Sequence, residues 1–453
     1  MFTGLTEQLD FGNHLIAEMI PNGHDLVKLK TMLDWDKMNE IYKECYESNR
    51  GNSTKNSNLV LGLFVLKHLY VKPYREIINE LHVNTSYMYF CSVSYNEIMA
   101  INKLGKKIID HSSLVKIKKR LGAERFKRIE EVFTCKLIAK GFINGKQLFS
   151  DTTSLEKDII FLTDVNFLKR VIEEAEVIIQ KVRRKKDMVK SEVIKKANTA
   201  AKVFYSSSKK SKELAKSVCS ELIKIAENSL KKAEIISQQK SVQAKKYILE
   251  RYEKLSTVGA GIVEQTKKYL EGEKIKERIV SYHEDHARSL PKGKVGRPIE
   301  FGDKLRVDMS GNGYITHWEL YQGNPSDVTM LEAAIKKHKS VFKEKFHSAG
   351  FDRGFYDEGK IEEYENEYNI VLAIPHKKDR TKKMSKRKEK IYNKRAAIEA
   401  KISEGKRMCG LNKSLYKGFE GDQIWASMSI LGLNIRKVLR DVSENPKLMK
   451  KFA

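Results

Sequence analysis

Residues 304–321 read KLRVDMSGNGYITHWELY. Two β-prone runs, 304–309 and 314–321, flank the sequence Ser310-Gly311-Asn312-Gly313, and a Gly/Asn break between such runs is hairpin chemistry. A β-hairpin is therefore predicted here, which is hard to reconcile with a purely helical scaffold.

Upstream, SLPKGKVGRPIEFG (289–302) holds two prolines and three glycines and reads as a linker. Before it, residues 167–279 contain no proline and only three glycines, at 259, 261 and 272, so helix is the natural state. Phe167, Leu168, Val171, Ile172, Ala175, Ile178, Ile179 and Val182 recur at the three-and-four spacing of one apolar stripe, which Leu214, Val218, Leu222 and Ile225 resume after YSSSKKSK, a predicted turn at 205–212. One unbroken helix would reach roughly 170 Å, so a hairpin or small bundle is expected. Its lysines fit a solvated helix face or a track for DNA phosphates.

Downstream of the hairpin, residues 326–341 are helical in pattern, FHSAGFD (346–352) is a short strand ending at Asp352, and a helix follows at 358–367. NIVLAI (369–374) is a buried-strand run. After a basic stretch at 377–390 the chain reads as helical to about Arg407, with a last helix over 422–439. GKQLFSDTTSLE (145–156) places Asp151 at the end of an earlier strand. The resulting order is strand, hairpin, helix, strand, helix, strand, helix, an α/β core.

The first 140 residues read as helical: Leu59, Leu63, Leu66 and Tyr70 stack before Pro73, and a further helix covers 113–139. Residues 74–90 suggest two short helices around a turn at Val83 and Asn84, either a plain helical core or a helix-turn-helix. The expected organisation is a helical N-terminal domain (1–140), the first core strand and its turn (141–164), a helical or coiled-coil insertion (165–288), the remainder of the α/β core (289–440) and a tail (441–453).

Composition narrows the partners. The chain has 453 residues, with 86 Lys plus Arg against 59 Asp plus Glu, a formal charge of +27. Such a surplus attracts a polyanion, which for a cytoplasmic protein is usually nucleic acid, and composition alone fits a ribosome-associated or membrane-surface protein nearly as well. No long uncharged apolar window or secretory signal is present, so the chain is expected in the cytoplasm, at the nucleoid and not at a membrane. The five cysteines, 45, 91, 135, 219 and 409, form no C-x-x-C pair and suggest neither disulfides nor zinc. No G-x-x-x-x-G-K-[ST] loop occurs, so no ATP requirement is implied.

Three carboxylates from separate elements can hold two hard cations about 4 Å apart for phosphodiester cleavage. The candidates are Asp151, Asp352 and Glu399. In IYNKRAAIEAKISEGKRM (391–408), Tyr392, Arg395, Glu399 and Lys406 fall near 0°, 300°, 340° and 320° at roughly 100° per residue, while Glu404 comes out near 120°. A carboxylate thus shares a helix face with two cations and a phenol, which suits either a metal-holding helix that grips phosphate or a salt-bridged surface stripe with Arg395 supporting Glu399.

The spacing Y-x2-R-x3-E-x6-K resembles the signature around the catalytic Glu of a large group of bacterial insertion-sequence transposases of the DDE class. Asp352-Arg353-Gly354-Phe355-Tyr356 resembles that group's D-x-G-[FY] segment, and Asp151-Thr152-Thr153 its D-[GST]-[ST] segment. The stretch from Ile20, LKHLYVKPYREI (66–77), Asp110 to Leu114, and Lys417-Gly418 with Trp425 and Asn434 are similar to the group's flanking regions. The long helical insertion departs from better-known relatives, which carry a β-rich insertion after the fifth strand.

The resemblance implies a ribonuclease H-like core with an all-α N-terminal domain. It also implies two Mg2+ (or Mn2+) ions held by Asp151, Asp352 and Glu399, and double-stranded DNA as substrate, at element ends and target. Tyr392, Arg395, Lys406 and Arg353 would contact DNA, and a homodimer would form the synaptic complex. The rival readings are a domesticated or inactive DNA-binding relative, and a basic helical scaffold for RNA or acidic partners.

Overall fold

The computed structural model describes residues 16–46, 56–94, 97–99, 103, 105, 107–159, 163–182, 191–208, 211–239, 246–275, 277–294, 297–377 and 383–452. They form two compact units: residues 1–156, 304–321 and 325–453, and residues 157–303 with 322–324.

The first unit opens with helices α1 (Asp25–Met32), α2 (Trp35–Lys43), α3 (Ser57–Tyr70), α4 (Tyr74–Leu81), α5 (Thr85–Phe90) and α6 (His111–Ala139). Helix α3 is buried on nearly every side from Leu59 to Leu69, the mark of a core helix. Helices α4 and α5 are the two short helices expected around Val83 and Asn84, with the Asn84 side chain capping α5 through the Tyr87 amide. Their inward faces, Ile77, Ile78, Leu81, Met88 and Phe90, belong to the main hydrophobic core. Strand β1 (Gln147–Lys157) follows.

The second unit contains α7 (Asp164–Val182), α8 (Glu192–Ser206), α9 (Lys212–Ser237), and α10 (Lys246–Lys254) continuing through a π-helical turn into α11 (Ala260–Glu271). The apolar stripes read from sequence meet in a core of their own, including Leu168, Val171, Ile172, Ala175, Leu222, Ala226, Leu255 and Ile262. The chain therefore folds back, with a break between Ser206 and Lys212, at the predicted turn.

The linker expected at 289–302 is corrected by the structure. Strand β2 (Arg288–Lys294) pairs antiparallel with the first part of β3 (Arg297–Ser310), in the register Ser289 to Phe301 and Leu290 to Glu300. Pro291 is tolerated because β2 is the end strand of the sheet among the described residues. Proline and glycine content is thus a signal of an edge strand here and not of an unstructured connection.

Back in the first unit, β3 and β4 (Ile315–Tyr321) form the predicted hairpin. Gly313, at φ 88°, supplies its left-handed position and donates to the Ser310 carbonyl. Then come α12 (Leu331–Phe342), β5 (Ser348–Phe351), α13 (Glu358–Tyr368), β6 (Val371–Ala373), α14 (Lys386–Lys394), α15 (Ala396–Met408), β7 (Lys413–Ser414) and α16 (Gly418–Glu444). Strand β7 has no sequence signal, and α16 extends beyond the expected 422–439. Strand β1 lies between β3 and β5, parallel to β5, which is parallel to β6. The sheet is mixed, with its parallel half following the β-α-β alternation read from sequence.

Helix α16 fixes this sheet to the helical layer. It packs against α3 and α6, and its buried Asn434 accepts from the Ile315 amide at 2.9 Å and donates to the Ile315 carbonyl at 2.8 Å. One side chain thereby completes the backbone pairing of a strand residue whose amide and carbonyl are buried.

Candidate active site

Parallel pairing between β1 and β5 covers Gln147 to Ser150 against Ser348 to Phe351. Asp151 on β1 and Asp352 just past the end of β5 are the next residues in that register, which brings the two aspartates side by side. The sequence places Asp151 at a strand end; in the structure it lies within β1, which runs on to Lys157. It is the pairing with β5 that stops there.

Asp352 opens a short 3-10 turn, Arg353–Phe355, and its carboxylate accepts from the Gly354 amide at 3.3 Å. Arg353 is half-buried on this turn. Helix α14 packs over β5 and β6, carrying Tyr392 toward the same region.

Arg395 joins the third acid to the first. It sits at the junction of α14 and α15 with helical torsions (φ −59°, ψ −28°), so the face read from sequence survives a break between two helices. Its guanidinium donates to Asp151 Oδ2 at 3.0 Å and to Glu399 Oε1 at 2.5 Å, and lies 5.3 Å from the centre of the Tyr392 ring. Arg395 is nine-tenths buried in these contacts, whereas the Glu399 side chain is 57% exposed and open to further ligands. Glu404, the acid expected to point away, pairs instead with Lys401 and Arg440. Lys406 is half-buried further along α15.

The Asp151 carboxyl is pushed up to about 6. Burial is the largest cause; the Arg395 charge and the Thr152 amide oppose it, and the charges of Asp352 and Glu399 add to it. All three predicted acids therefore share one electrostatic environment, despite lying 201 and 47 residues apart in sequence. This donor set suits hard divalent cations: oxygen-only, acid-rich, with one guanidinium as the internal counter-ion.

A fourth acid at the site escapes the sequence reading. Asp327 begins a 3-10 turn, Asp327–Met330, that packs on the Arg353–Phe355 turn. It accepts from Thr152 Oγ1 at 3.2 Å and pairs with Lys304 Nζ at 2.9 Å. Its only sequence signal, Ser326-Asp327 before an apolar run, is indistinguishable from ordinary helix-start chemistry.

An acid-lined site where the parallel pairing of β1 and β5 ends has the donor chemistry that metal-dependent phosphodiester cleavage and transfer require. Comparison with known families makes this specific. Residues 14–120 match the family described as Transposase domain (DUF772), and residues 361–439 match the family described as Transposase DDE domain. Together they support an insertion-sequence transposase of the DDE class, a metal-dependent enzyme that cleaves DNA and transfers the cut strand. A DDE domain implies a ribonuclease H-like core. Neither a curated protein nor a solved structure matches the chain. The second matched segment contains Tyr392, Arg395, Glu399 and Lys406 but neither Asp151 nor Asp352. Among the described residues, no helix is long and apolar enough to cross a membrane.

Proposed function

We propose that Asp151, Asp352 and Glu399 are the catalytic carboxylates of this transposase, acting at the terminal inverted repeats of its element. The observation that carries this reading is the single guanidinium of Arg395 spanning Asp151 and Glu399, with the charge of Asp352 felt at the same Asp151 carboxyl. Two acids on one internal cation, with a third acting on the first, leave negative charge for bound cations to complete.

These residues would hold two Mg2+ (or Mn2+) ions, which supply activation of the attacking oxygen and neutralisation of the leaving one. Tyr392, Lys406 and Arg353 hold the DNA backbone beside the cut. Arg395 is the counter-ion that keeps the first and third acids together, and the N–H groups it does not use on them are those it would present to phosphate. The strand order and directions support a ribonuclease H-like core in which a helical insertion (165–288) follows the first strand, with the helical residues 1–140 serving DNA binding. Two copies of the chain would pair the element ends.

The test uses the full chain, a duplex carrying the element's ends, and Mg2+. Asp151→Ala, Asp352→Ala and Glu399→Ala should each lose cleavage and strand transfer while still binding the duplex. Metal-dependent nicking retained in Glu399→Ala would move the assignment to another acid.

A further inference from the structure

We propose that Asp327 is a positioning residue of this site, a carboxylate that sets the spacing between the first and second catalytic aspartates; the inference rests on the assignment of Asp151 and Asp352 above. Three contacts carry it. Asp327 Oδ1 accepts from Thr152 Oγ1 at 3.2 Å, and the Thr152 amide in turn donates to Asp151 Oδ1 at 2.8 Å. The same oxygen lies 2.9 Å from Lys304 Nζ, which also donates to the Pro325 carbonyl at 2.7 Å and so anchors Asp327 to β3. Finally, a Cβ built on Gly354 would fall 2.5 Å from Asp327 Oδ2, while the Gly354 amide donates to Asp352.

Asp327 thus touches one residue that holds the Asp151 carboxylate and another that holds the Asp352 carboxylate. Side chains alternate across a strand, so Thr152 leaves β1 on the face opposite Asp151. Asp327 therefore supports the site from behind and does not join the three acids as a ligand. Gly354 is needed because any side chain there would displace the Asp327 carboxylate from Thr152 and Lys304. A small misplacement is enough to matter, since about 1 Å at reacting groups can cost on the order of 10²-fold in rate.

The experiment combines DNA cleavage by the full chain, Mn2+ binding to the DNA-free protein followed by electron paramagnetic resonance, and thermal melting. Asp327→Ala should weaken Mn2+ binding and slow cleavage by about 10–100-fold, as removal of a support behind metal-holding groups does. Its KM for the DNA end should stay near wild type, and its melting temperature should fall only moderately, because Lys304 loses its partner ion but keeps the Pro325 carbonyl. Asp327→Asn retains the acceptor for Thr152 and should recover most of both losses. Gly354→Ala alone should reproduce the Asp327→Ala phenotype, and should add little in the Asp327→Ala background, because the clash has gone.

Wild-type Mn2+ binding and rate in Asp327→Ala would overturn the proposal, as would additive effects of the two substitutions. Loss of activity in Asp327→Asn as complete as in Asp151→Ala would also overturn it, making Asp327 a ligand. If instead Asp151→Ala and Asp352→Ala still cut DNA, it is the underlying site assignment that fails, a result separable from any of these.

Discussion

Arg395 Nη1 lies 3.0 Å from Asp151 Oδ2, across 244 positions of sequence. Neither side chain is more than 15% exposed, so each is the main compensation for burying the other. The contact turns a helix junction into part of the proposed catalytic site.

Removing this guanidinium leaves buried carboxylate charge without its partner. Arg395→Ala should melt earlier in metal-free buffer, by an amount equivalent to about 3–5 kcal/mol, and regain much of it with saturating Mg2+. Arg395→Lys should rescue poorly, because a single ammonium cannot reproduce two separately directed guanidinium contacts. Calorimetry with and without Mg2+ measures both, and equal destabilisation under the two conditions would show that Arg395 acts by packing alone.

For Lys406, the expected readout is salt dependence. Lys406→Ala should weaken binding of the element's end and reduce the slope of log K against log salt by about 0.9, the value for one phosphate no longer neutralised. A titration by fluorescence anisotropy at several salt concentrations decides this, and an unchanged slope removes Lys406 from the interface.

Glu130 on α6 offers a pH test remote from the acids of the site. It is buried, accepts from Thr134 Oγ1 at 2.7 Å and from Trp318 Nε1 at 3.3 Å, and burial pushes its carboxyl up to about 7. A folded-state value above the unfolded one means that the native chain binds more protons, so this group's stabilisation is complete at acid pH and is lost as pH rises through 7. A tenfold difference in proton affinity between the folded and unfolded chain is equivalent to about 1.4 kcal/mol. Glu130→Gln should gain in melting temperature relative to wild type at pH 8 and show little advantage at pH 4.5; parallel pH profiles would refute the assignment.

Asn434 tests how the sheet is fixed to α16. Asn434→Ala leaves both the amide and the carbonyl of Ile315 without their buried partner, at a cost of about 1–3 kcal/mol for each group. Asn434→Asp keeps the acceptor for the amide but not the donor to the carbonyl, and should fall between wild type and Ala. Denaturant melts compare the three.

Much of this architecture is legible in the chain because local periodicity carries it. The hairpin at 304–321, the two short helices after Pro73, the apolar stripes of α7 and α9, and the shared face of Tyr392, Arg395 and Glu399 all follow from spacings of two or 3.6 residues. The β2 strand reads as a linker because Pro291 and its neighbouring glycines carry the same composition in an edge strand as in a connection. Strand β7, two residues long, is below the length at which alternation can be recognised.

By itself, the sequence determined the types of most elements, the chemistry of the acids, and the spacing that puts Glu399 beside Arg395 on one helical face. Those are properties of neighbours within a few residues, and backbone geometry alone relates them. Tertiary structure decided that the register of β1 on β5 sets Asp151 next to Asp352, that Arg395 reaches back to Asp151, and that Asp327 lies against Thr152 and Gly354. Each depends on strand pairing and close packing between segments far apart in the chain, and no local pattern encodes a distance of that kind.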